Sequence, residues 1–395
     1  MPLHSTLPPA SDVALAHSHA LQSLIRDRIA AANGWITFEE FMNLALYAPG
    51  LGYYVSGATK LGNAGDFVTA PEMSPLFGQT LARQIMQIMQ QLDQTDILEF
   101  GAGTGKLAAD ILLELEQHQV LPENYFILEV SAELRQRQQR WLQDRAPHLF
   151  SRITWLEQLP ADFNGIMLGN EVLDAMPVHI VSWRGDQILE RGVTWQDDRF
   201  TWLERPLEHV ELLTLANALT THINPGQEPD WAYSSEINLA ARYFIRSLAD
   251  SLRQGVILLV DYGFGRSEFY HPQRQQGTLM CHYRHHAHDD PFFLPGLQDI
   301  TTHVDFSALL EVADQSGLSL AGYTTQAHFL INCGITTVLG RTASADTLHY
   351  LPQAQAVQKL ISPAEMGELF KVIAFAKNFA EPLLGFSRGD LSRLL

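Results

Sequence analysis

The sequence has little cysteine and few basic residues, and each shortage excludes a class of protein. Only Cys281 and Cys333 occur among its 395 residues. They form no CxxC pair, which excludes a disulfide framework and a cysteine-ligated zinc site and favours a reducing compartment. Lysine and arginine total 26 against 44 acidic residues, a formal net charge of −18. This balance disfavours nucleic acid or an anionic membrane as the main partner, because both attract basic surfaces.

Long hydrophobic runs are also absent. The most apolar strand-like run, residues 256–260, is far shorter than the roughly 20 residues that a membrane helix needs. The first 34 residues contain no continuous apolar stretch of signal-peptide length. We therefore expect a cytoplasmic protein without membrane insertion. Its length predicts two or three domain-sized units, and its 46% hydrophobic content is enough for a sizeable core.

Strand-like and helix-like segments alternate from residue 96 onward. The predicted strands are 96–100, 125–130, 152–155, 165–169 and 255–261. The helices between them are 106–117 and 131–145, the second with Ser131 as its N-cap. Such alternation predicts an α/β fold with a mostly parallel sheet and helices on both faces. Ligands in such sheets bind at the carboxyl ends of the strands.

The regions that flank this core have different patterns. Helices are predicted over 14–31, 76–92, 234–252 and 305–316. A further helix is predicted to begin at the capping box Thr37–Glu40. Short antiparallel strands are predicted over 179–183, 190–195 and 199–203, and late strands over 318–323 and 369–376. We divide the chain into an N-terminal helical and glycine-rich cap (1–92), a core (93–265) with inserted strands near 178–232, a substrate-side lid loop (266–304) and a C-terminal part that completes the sheet (305–395).

A glycine-rich turn, LEFGAGTG at residues 98–105, joins the first core strand to its helix. Gly101, Gly103 and Gly105 allow a tight turn and a close approach of the backbone to a ligand. A Walker A loop is excluded, because its required positions hold Phe100 and Leu107. A dinucleotide GxGxxG loop is disfavoured, because residue 106 is lysine. GxGxG preceded by the acid Glu99 instead resembles the loop of class I S-adenosylmethionine (SAM) methyltransferases, with a ligand-free glycine turn as the alternative.

Glu129 is the second predicted ligand residue. It closes the strand that follows the glycine loop, 28 residues after Gly101. A carboxylate at this strand end can accept hydrogen bonds from both ribose hydroxyls of an adenosine ligand. By itself Glu129 could equally be a solvated strand-end acid, but together with the glycine loop it indicates an adenosine site.

Longer sequence blocks resemble the MidA-type family of SAM-dependent methyltransferases, whose mitochondrial members are complex I assembly factors that methylate an arginine. Besides the glycine loop, the matching blocks are 65–78 (GDFVTAPEMSPLFG), 169–178 (GNEVLDAMPV), 236–240 (EINLA), 261–263 (DYG), 277–287 (GTLMCHYRHHA) and 298–306 (QDITTHVDF). They show no departure from the family pattern and span most of the chain. The ends, before residue 34 and after residue 340, match nothing useful.

The resemblance implies a class I methyltransferase fold with an N-terminal helical region and inserted elements, and SAM as methyl donor. It also places Gly65, Asp66 and Asn170 among the cofactor-binding residues, with Glu99, the glycines and Glu129. The implied substrate is a protein, with an arginine of a respiratory complex I subunit as acceptor. The short N-terminal stretch indicates a bacterial relative.

The acceptor side is predicted from the chemistry of arginine. Its guanidinium group stays protonated and offers five donors in a flat fork, so a facing carboxylate can hold and orient it. Glu171 follows a predicted core strand, and we expect it to be the catalytic carboxylate, with Asn170 as a second catalytic residue and Asp174 beside them. Asp174 could instead start a helix. Glu236 is a second catalytic candidate, or alternatively a first-turn acid that a helix dipole favours.

Two interpretations remain open. The histidine-rich run at 281–290 could bind zinc or iron, but its spacing matches no standard site, so we expect no metal and a substrate-facing lid. The protein could also be an assembly factor that binds SAM without turnover, and a small-molecule methyltransferase is a weaker alternative. The oligomeric state stays open.

Overall fold

The computed structural model describes residues 7–56, 69–224, 226, 231–344 and 346–395. The helices, in chain order, are α1 (Asp12–Ala31), α2 (Phe38–Tyr47), α3 (Ala70–Met73), α4 (Pro75–Met89), α5 (Lys106–Gln117), α6 (Ala132–Arg145), α7 (Val210–Ile223), α8 (Leu239–Ser251), α9 (Arg266–Phe269), α10 (Phe306–Gln315), α11 (Gln326–Asn332), α12 (Ile335–Leu339), α13 (Thr347–Ile361) and α14 (Met366–Leu369). The strands are β1 (Ile36–Thr37), β2 (Asp96–Phe100), β3 (Tyr125–Leu128), β4 (Ile153–Leu156), β5 (Phe163–Asn170), β6 (His179–Arg184), β7 (Gln187–Gln196), β8 (Arg199–Pro206), β9 (Ala232–Ile237), β10 (Leu252–Phe264), β11 (Met280–Tyr283), β12 (His286–His288), β13 (Asp299–Thr301), β14 (Val304–Asp305), β15 (Ser319–Thr325) and β16 (Phe370–Lys377).

The chain folds into two compact units. The first, called the sheet unit, comprises residues 68–172, 244–265 and 305–395. The second, called the insert unit, comprises residues 1–67, 173–243 and 266–304. The predicted N-terminal segment ended at residue 92, but residues 68–92 belong to the sheet unit, because α4 packs its apolar face into the core of that unit. The four-part division otherwise stays a prediction.

The sheet unit contains the predicted mostly parallel sheet. Its strand order is β15-β16-β10-β5-β2-β3-β4. The five strands from β10 to β4 run parallel, and β16 lies antiparallel between β10 and β15. β10 and β5 are buried along most of their length, as expected for central strands covered on both faces. The predicted class I methyltransferase-like α/β fold is confirmed.

The bounds of the first core elements agree with those predicted from local sequence signals. β2 and α5 have the predicted bounds, and α6 begins after Ser131, whose hydroxyl accepts a hydrogen bond from Leu134 N at 3.3 Å. The apolar faces of α4 and α5 are buried in one core, as their helical spacing predicted, through Leu81, Ile85, Leu107, Ile111 and Leu115. These helices therefore cover the sheet and leave its strand ends to form the site.

The insert unit contains the predicted antiparallel strands. Its larger sheet has the order β1-β7-β6-β9, with β8 paired to β7. α2 packs beside this sheet through Phe38, Phe41 and Met42. Its N-cap is Thr37, whose hydroxyl accepts a hydrogen bond from Glu40 N at 3.0 Å as predicted, while the Glu40 carboxylate pairs with Arg28.

Two sequence predictions in the insert unit were wrong. Residues 234–237 are not helical but belong to β9, which pairs with β6, and the helix starts only at Leu239. Residues 266–304, predicted as a loop, carry a small sheet in the order β12-β11-β13. In both cases the strands gain hydrogen bonds from distant segments, such as Met280 opposite Thr301, which local patterns do not reveal. Over the described residues, no helix is long and apolar enough to cross a bilayer.

Candidate functional site

The strand order of the sheet unit creates a crevice at the carboxyl ends of β2 and β5. From β2 the chain runs outward through β3 and β4, and then returns to β5 on the other side of β2. Such a reversal of direction is where open α/β sheets bind ligands. Phe100 lies opposite both Leu128 and Gly169 in the sheet register. The three strands therefore end at the same edge of the sheet. The glycine loop, Glu129 and Asn170 lie at these three strand ends.

The glycine loop follows β2 and has a left-handed backbone at each of its glycines. The φ angles are 59° at Gly101, 54° at Gly103 and 86° at Gly105, a region that side chains with a Cβ strongly disfavour. A Cβ at Gly105 would also lie 3.3 Å from Gln138 Cα. The loop ends at the N-terminus of α5, whose N-cap residue is Gly105. Because glycine has no side chain, no N-cap side chain bonds the backbone amides of the first turn. The first turn of α5 can thus receive an anionic group such as the carboxylate of SAM.

Glu129 is buried and oriented by hydrogen bonds from its own unit. Oε1 accepts from Ser131 N at 2.9 Å, and Oε2 accepts from Gln138 Nε2 at 2.9 Å. Burial raises the pKa of Glu129, and the bonds from Ser131 and Gln138 oppose this rise. Val130, the next residue, is 72% exposed and presents apolar surface beside this carboxylate. A carboxylate that can accept hydrogen bonds from ribose hydroxyls, next to an apolar surface, suits an adenosine, and the role of Glu129 in binding one stays a prediction.

Gln138 is a site residue that sequence reasoning missed. Its amide nitrogen also donates to the Gly103 carbonyl at 3.1 Å, and its Oε1 accepts from Trp155 Nε1 at 2.9 Å. It therefore ties Glu129 to the glycine loop through α6. The signal was a polar residue four positions before Leu142 on the buried face of α6, where an apolar residue is expected.

Glu99 is buried within the sheet and has a different environment. Tyr125 donates its hydroxyl proton to Glu99 Oε2 at 2.7 Å. Burial raises the pKa of Glu99 to about 7, the Tyr125 hydrogen bond lowers it, and the charge of Glu129 raises it. The hydrogen bond from Tyr125 therefore links Glu99 of β2 to β3. The role of Glu99 in cofactor binding stays a prediction.

Asn170 and Glu171 follow β5 in a sharp turn. Glu171 has a φ of 53°, a conformation that costs a residue with a Cβ about 1–2 kcal/mol. Its amide donates to Val260 O at 2.8 Å, and the next amide, of Val172, donates to Asp261 Oδ2 at 3.1 Å. These hydrogen bonds to acceptors on β10 hold the strained turn. Strain that the surroundings enforce in this way is typical of functional positions.

The side chains of this turn offer oxygen acceptors at the crevice. Asn170 Nδ2 donates to Glu171 Oε1 at 3.1 Å, while the buried Asn170 Oδ1 has no hydrogen-bond partner among the residues that the structure describes. A buried acceptor without a partner is costly, which suits a position where a ligand supplies the donor. Asn170 therefore lies beside Glu171, and its roles in cofactor binding and catalysis stay predictions.

Glu236 lies in the insert unit, where its surroundings differ from those predicted. It is in β9 rather than in the first turn of a helix, and it is 3% exposed. Its carboxylate accepts hydrogen bonds from Thr278 N at 2.8 Å and Leu279 N at 2.9 Å. A Cβ at Gly277 would lie only 2.3 Å from Glu236 Oε1. Through these contacts the carboxylate holds residues 277–279, and its catalytic role stays a prediction.

The remaining predicted residues have separate outcomes. Gly65 and Asp66 lie outside the described residues. Asp174 is buried in the insert unit, starts no helix, and accepts a hydrogen bond from Thr302 N through its backbone oxygen at 3.0 Å. In the histidine-rich run, β11 and β12 form a hairpin. In the part of the chain that the structure describes, no group of three metal-binding side chains is arranged to hold an ion.

Comparison with known proteins identifies the family. A family model described as an S-adenosyl-L-methionine-dependent methyltransferase matches residues 80–324. The protein arginine methyltransferase NDUFAF7 of Danio rerio is 31% identical over 86% of this chain and 83% of its own length. The NDUFAF7 homologue of Drosophila melanogaster is 26% identical, over 96% of this chain and 91% of its own length.

A solved structure agrees with these relatives across the whole chain. A crystal structure of a Burkholderia thailandensis protein bound to S-adenosyl-homocysteine is 48% identical to this chain, covers 99% of it, and superposes with a TM-score of 0.93. SAM is accordingly the methyl donor of this protein. The family model, the relatives and the solved structure agree with the glycine loop and with the crevice between β2 and β5. The chain therefore belongs to the MidA-type family of SAM-dependent methyltransferases.

Proposed function

We propose that this protein methylates a guanidinium nitrogen of a protein arginine, and that the acceptor belongs to a subunit of respiratory complex I. The position of Glu171 carries this proposal. Glu171 follows the strand that borders the cofactor crevice, and hydrogen bonds that its amide and the next one donate to β10 hold its strained backbone. A carboxylate in this place has the charge and the two acceptor oxygens that a guanidinium requires. The names of the relatives, protein arginine methyltransferases, support an arginine as the acceptor. The choice of a complex I subunit depends on the resemblance to the family whose mitochondrial members are complex I assembly factors.

The chain's own residues would contribute mainly by positioning. When bound, SAM supplies a methyl group on a sulfonium, whose transfer is an in-line displacement. Glu171 would accept N–H bonds from the guanidinium, direct one nitrogen towards the methyl group, and take up the proton that this nitrogen loses as its bond to carbon forms. Asn170, bonded to Glu171 Oε1, would keep that carboxylate in place.

The test is methylation of a co-expressed complex I subunit with isotope-labelled SAM, with the modified residue located by mass spectrometry. Glu171→Gln keeps the shape of the side chain and removes its charge. The rate should fall by about 10²-fold, as for loss of one preorganised electrostatic partner. SAM affinity should change little, because the acceptor occupies a separate subsite.

The matched control is Glu123→Gln, which removes an exposed acid just before β3. Glu123 lies at the amino end of β3, away from the carboxyl ends of the strands where the site lies. This variant should keep the parental rate. A Glu171→Gln variant at the parental rate would show that Glu171 is only a strand-end acid. SAM binding without any methyl transfer would instead favour the assembly-factor alternative.

A further inference from the structure

Glu72 brings a carboxylate to the glycine loop from an element that the sequence did not predict. Thr104 Oγ1 donates a hydrogen bond to Glu72 Oε1 at 2.6 Å. Glu72 lies in α3, whose Ala70 and Pro71 are buried, and its own amide donates to Thr69 O at 3.0 Å. The backbone of α3 therefore anchors this carboxylate, and the bond to Thr104 orients it.

Thr104 links this carboxylate to the start of α5. It lies between Gly103 and Gly105 in the turn, and its hydroxyl oxygen accepts a hydrogen bond from Lys106 N at 3.3 Å. The hydroxyl proton is given to Glu72 and one lone pair is used by Lys106. Glu72 is thus held beside the first turn of α5, where an anionic ligand group is expected to bind.

The charge of Glu72 has no cationic partner among the described side chains. The nearby Lys106 forms an ion pair with Asp110 instead. Burial is the main cause that raises the pKa of Asp110, and the charge of Glu72 contributes to the rise. The bond from Thr104 is the one side-chain hydrogen bond that Glu72 makes within the described chain. A half-buried carboxylate with so few partners is suited to a cationic ligand group.

We propose that Glu72 binds the α-ammonium group of SAM, with Thr104 as its positioning residue. In the methionine part of SAM, the ammonium and the carboxylate are attached to the same carbon. If the carboxylate binds at the N-terminus of α5, the ammonium lies one carbon away, on the side where Thr104 holds Glu72. The sulfonium lies farther along the chain of the ligand, towards the strand ends. This inference depends on the cofactor and not on the identity of the methyl acceptor.

The experiment compares two ligands by calorimetry. S-adenosylhomocysteine carries the α-ammonium group, and its desamino analogue carries hydrogen in that place but keeps the carboxylate. Glu72→Gln should weaken S-adenosylhomocysteine by about 10- to 100-fold, the loss expected for one charge-assisted hydrogen bond. Binding of the desamino analogue should change by less than about twofold, so the parental preference for the ammonium should disappear.

Two further variants make the result decisive. Glu72→Asp keeps the charge and should restore part of the preference, whereas Glu123→Gln removes a remote exposed acid and should leave it intact. Equal weakening of both ligands by Glu72→Gln would mean that the side chain only shapes the loop, and would overturn the proposal. Unchanged binding of S-adenosylhomocysteine, or an aspartate variant as poor as the glutamine variant, would overturn it as well.

Discussion

Glu99 and Glu129 are two acids that the fold buries at neighbouring strands of the sheet unit. Both have raised pKa values because burial disfavours the carboxylate, but their hydrogen bonds differ. Glu129 accepts bonds from Ser131 and Gln138, whereas Tyr125 is the hydrogen-bond partner of Glu99. The pKa of Glu99 therefore reaches about 7, and its ionisation falls within the working pH range.

This burial predicts a stability change with pH at Glu99. The ordinary pKa of 4.5 applies to the unfolded chain and the value of about 7 to the folded one, so the folded state retains the proton over this interval. The stabilising effect of the neutral form is fully present below pH 4.5 and is lost as pH rises through 7. Glu99→Gln, which can still accept the Tyr125 bond, should gain up to roughly 3 kcal/mol relative to the parent between pH 4.5 and 8.

Urea unfolding of parent and Glu99→Gln at pH 5 and pH 8 measures this difference. Glu123→Gln serves as the control for loss of one negative charge at an exposed position. An equal difference in the free energy of unfolding at both pH values would contradict the assignment of a buried, protonated Glu99.

At the scale of elements, the glycine loop combines a strand end, a helix start and a close contact with a second helix. Gly105 has a φ of 86°, and the space for a Cβ there is limited by Gln138 and Leu142 of α6. The same glycine is the N-cap of α5. Its backbone therefore determines the entry of α5 and its distance from α6 together, so a side chain there should affect the site and not stability alone.

Gly105→Ala can be compared with a matched glycine. Gly34 has a similar φ of 80°, but a Cβ there meets nothing within 4 Å. Both alanine variants should lose about 1 kcal/mol of stability from the left-handed backbone. Only Gly105→Ala should also weaken SAM, by about tenfold or more, because its Cβ displaces Gln138 from Glu129 and Gly103.

Calorimetry with SAM and thermal unfolding of both variants separate the two effects. If Gly105→Ala bound SAM as the parent does, the loop would tolerate a Cβ and the contact with α6 would not matter. If Gly34→Ala weakened SAM equally, backbone strain by itself would account for the loss.

For the whole molecule, the cofactor should act as a stabilising ligand. A ligand that binds only the folded state at about 100 times its Kd adds about 2.7 kcal/mol. S-adenosylhomocysteine should therefore raise Tm by several degrees. Glu129→Gln should need about 10- to 150-fold more ligand for the same shift, because it loses a charged hydrogen-bond acceptor.

The metal prediction is tested on the same scale. EDTA should change neither this Tm shift nor the methylation rate, since we expect the histidine-rich run at 281–290 to bind no ion. Zinc or iron present in stoichiometric amount, and lost together with activity on chelation, would contradict this expectation.

A Tm shift as large in Glu129→Gln as in the parent, at the same ligand concentration, would argue against the adenosine site at β3.

The sequence by itself determined the elements whose signals are local. β2, the glycine loop and α5 follow from a short apolar strand, three glycines and a regular apolar face, all within 22 residues. The Thr37 and Ser131 caps follow in the same way, because a capping hydroxyl bonds amides only three residues away. The family, and SAM as cofactor, followed from longer blocks of the same kind.

Only the tertiary structure decided what depends on contacts between distant segments. The reversal of strand order between β2 and β5 opens the crevice, and no local pattern specifies it. Gln138 and Glu72 reach the glycine loop from α6 and α3, 35 and 32 residues away from their partners Gly103 and Thr104. Glu236 became a strand residue because β9 pairs with β6. Backbone and buried polar groups must find hydrogen-bond partners wherever the folded chain supplies them, and for these residues the partners are remote in sequence.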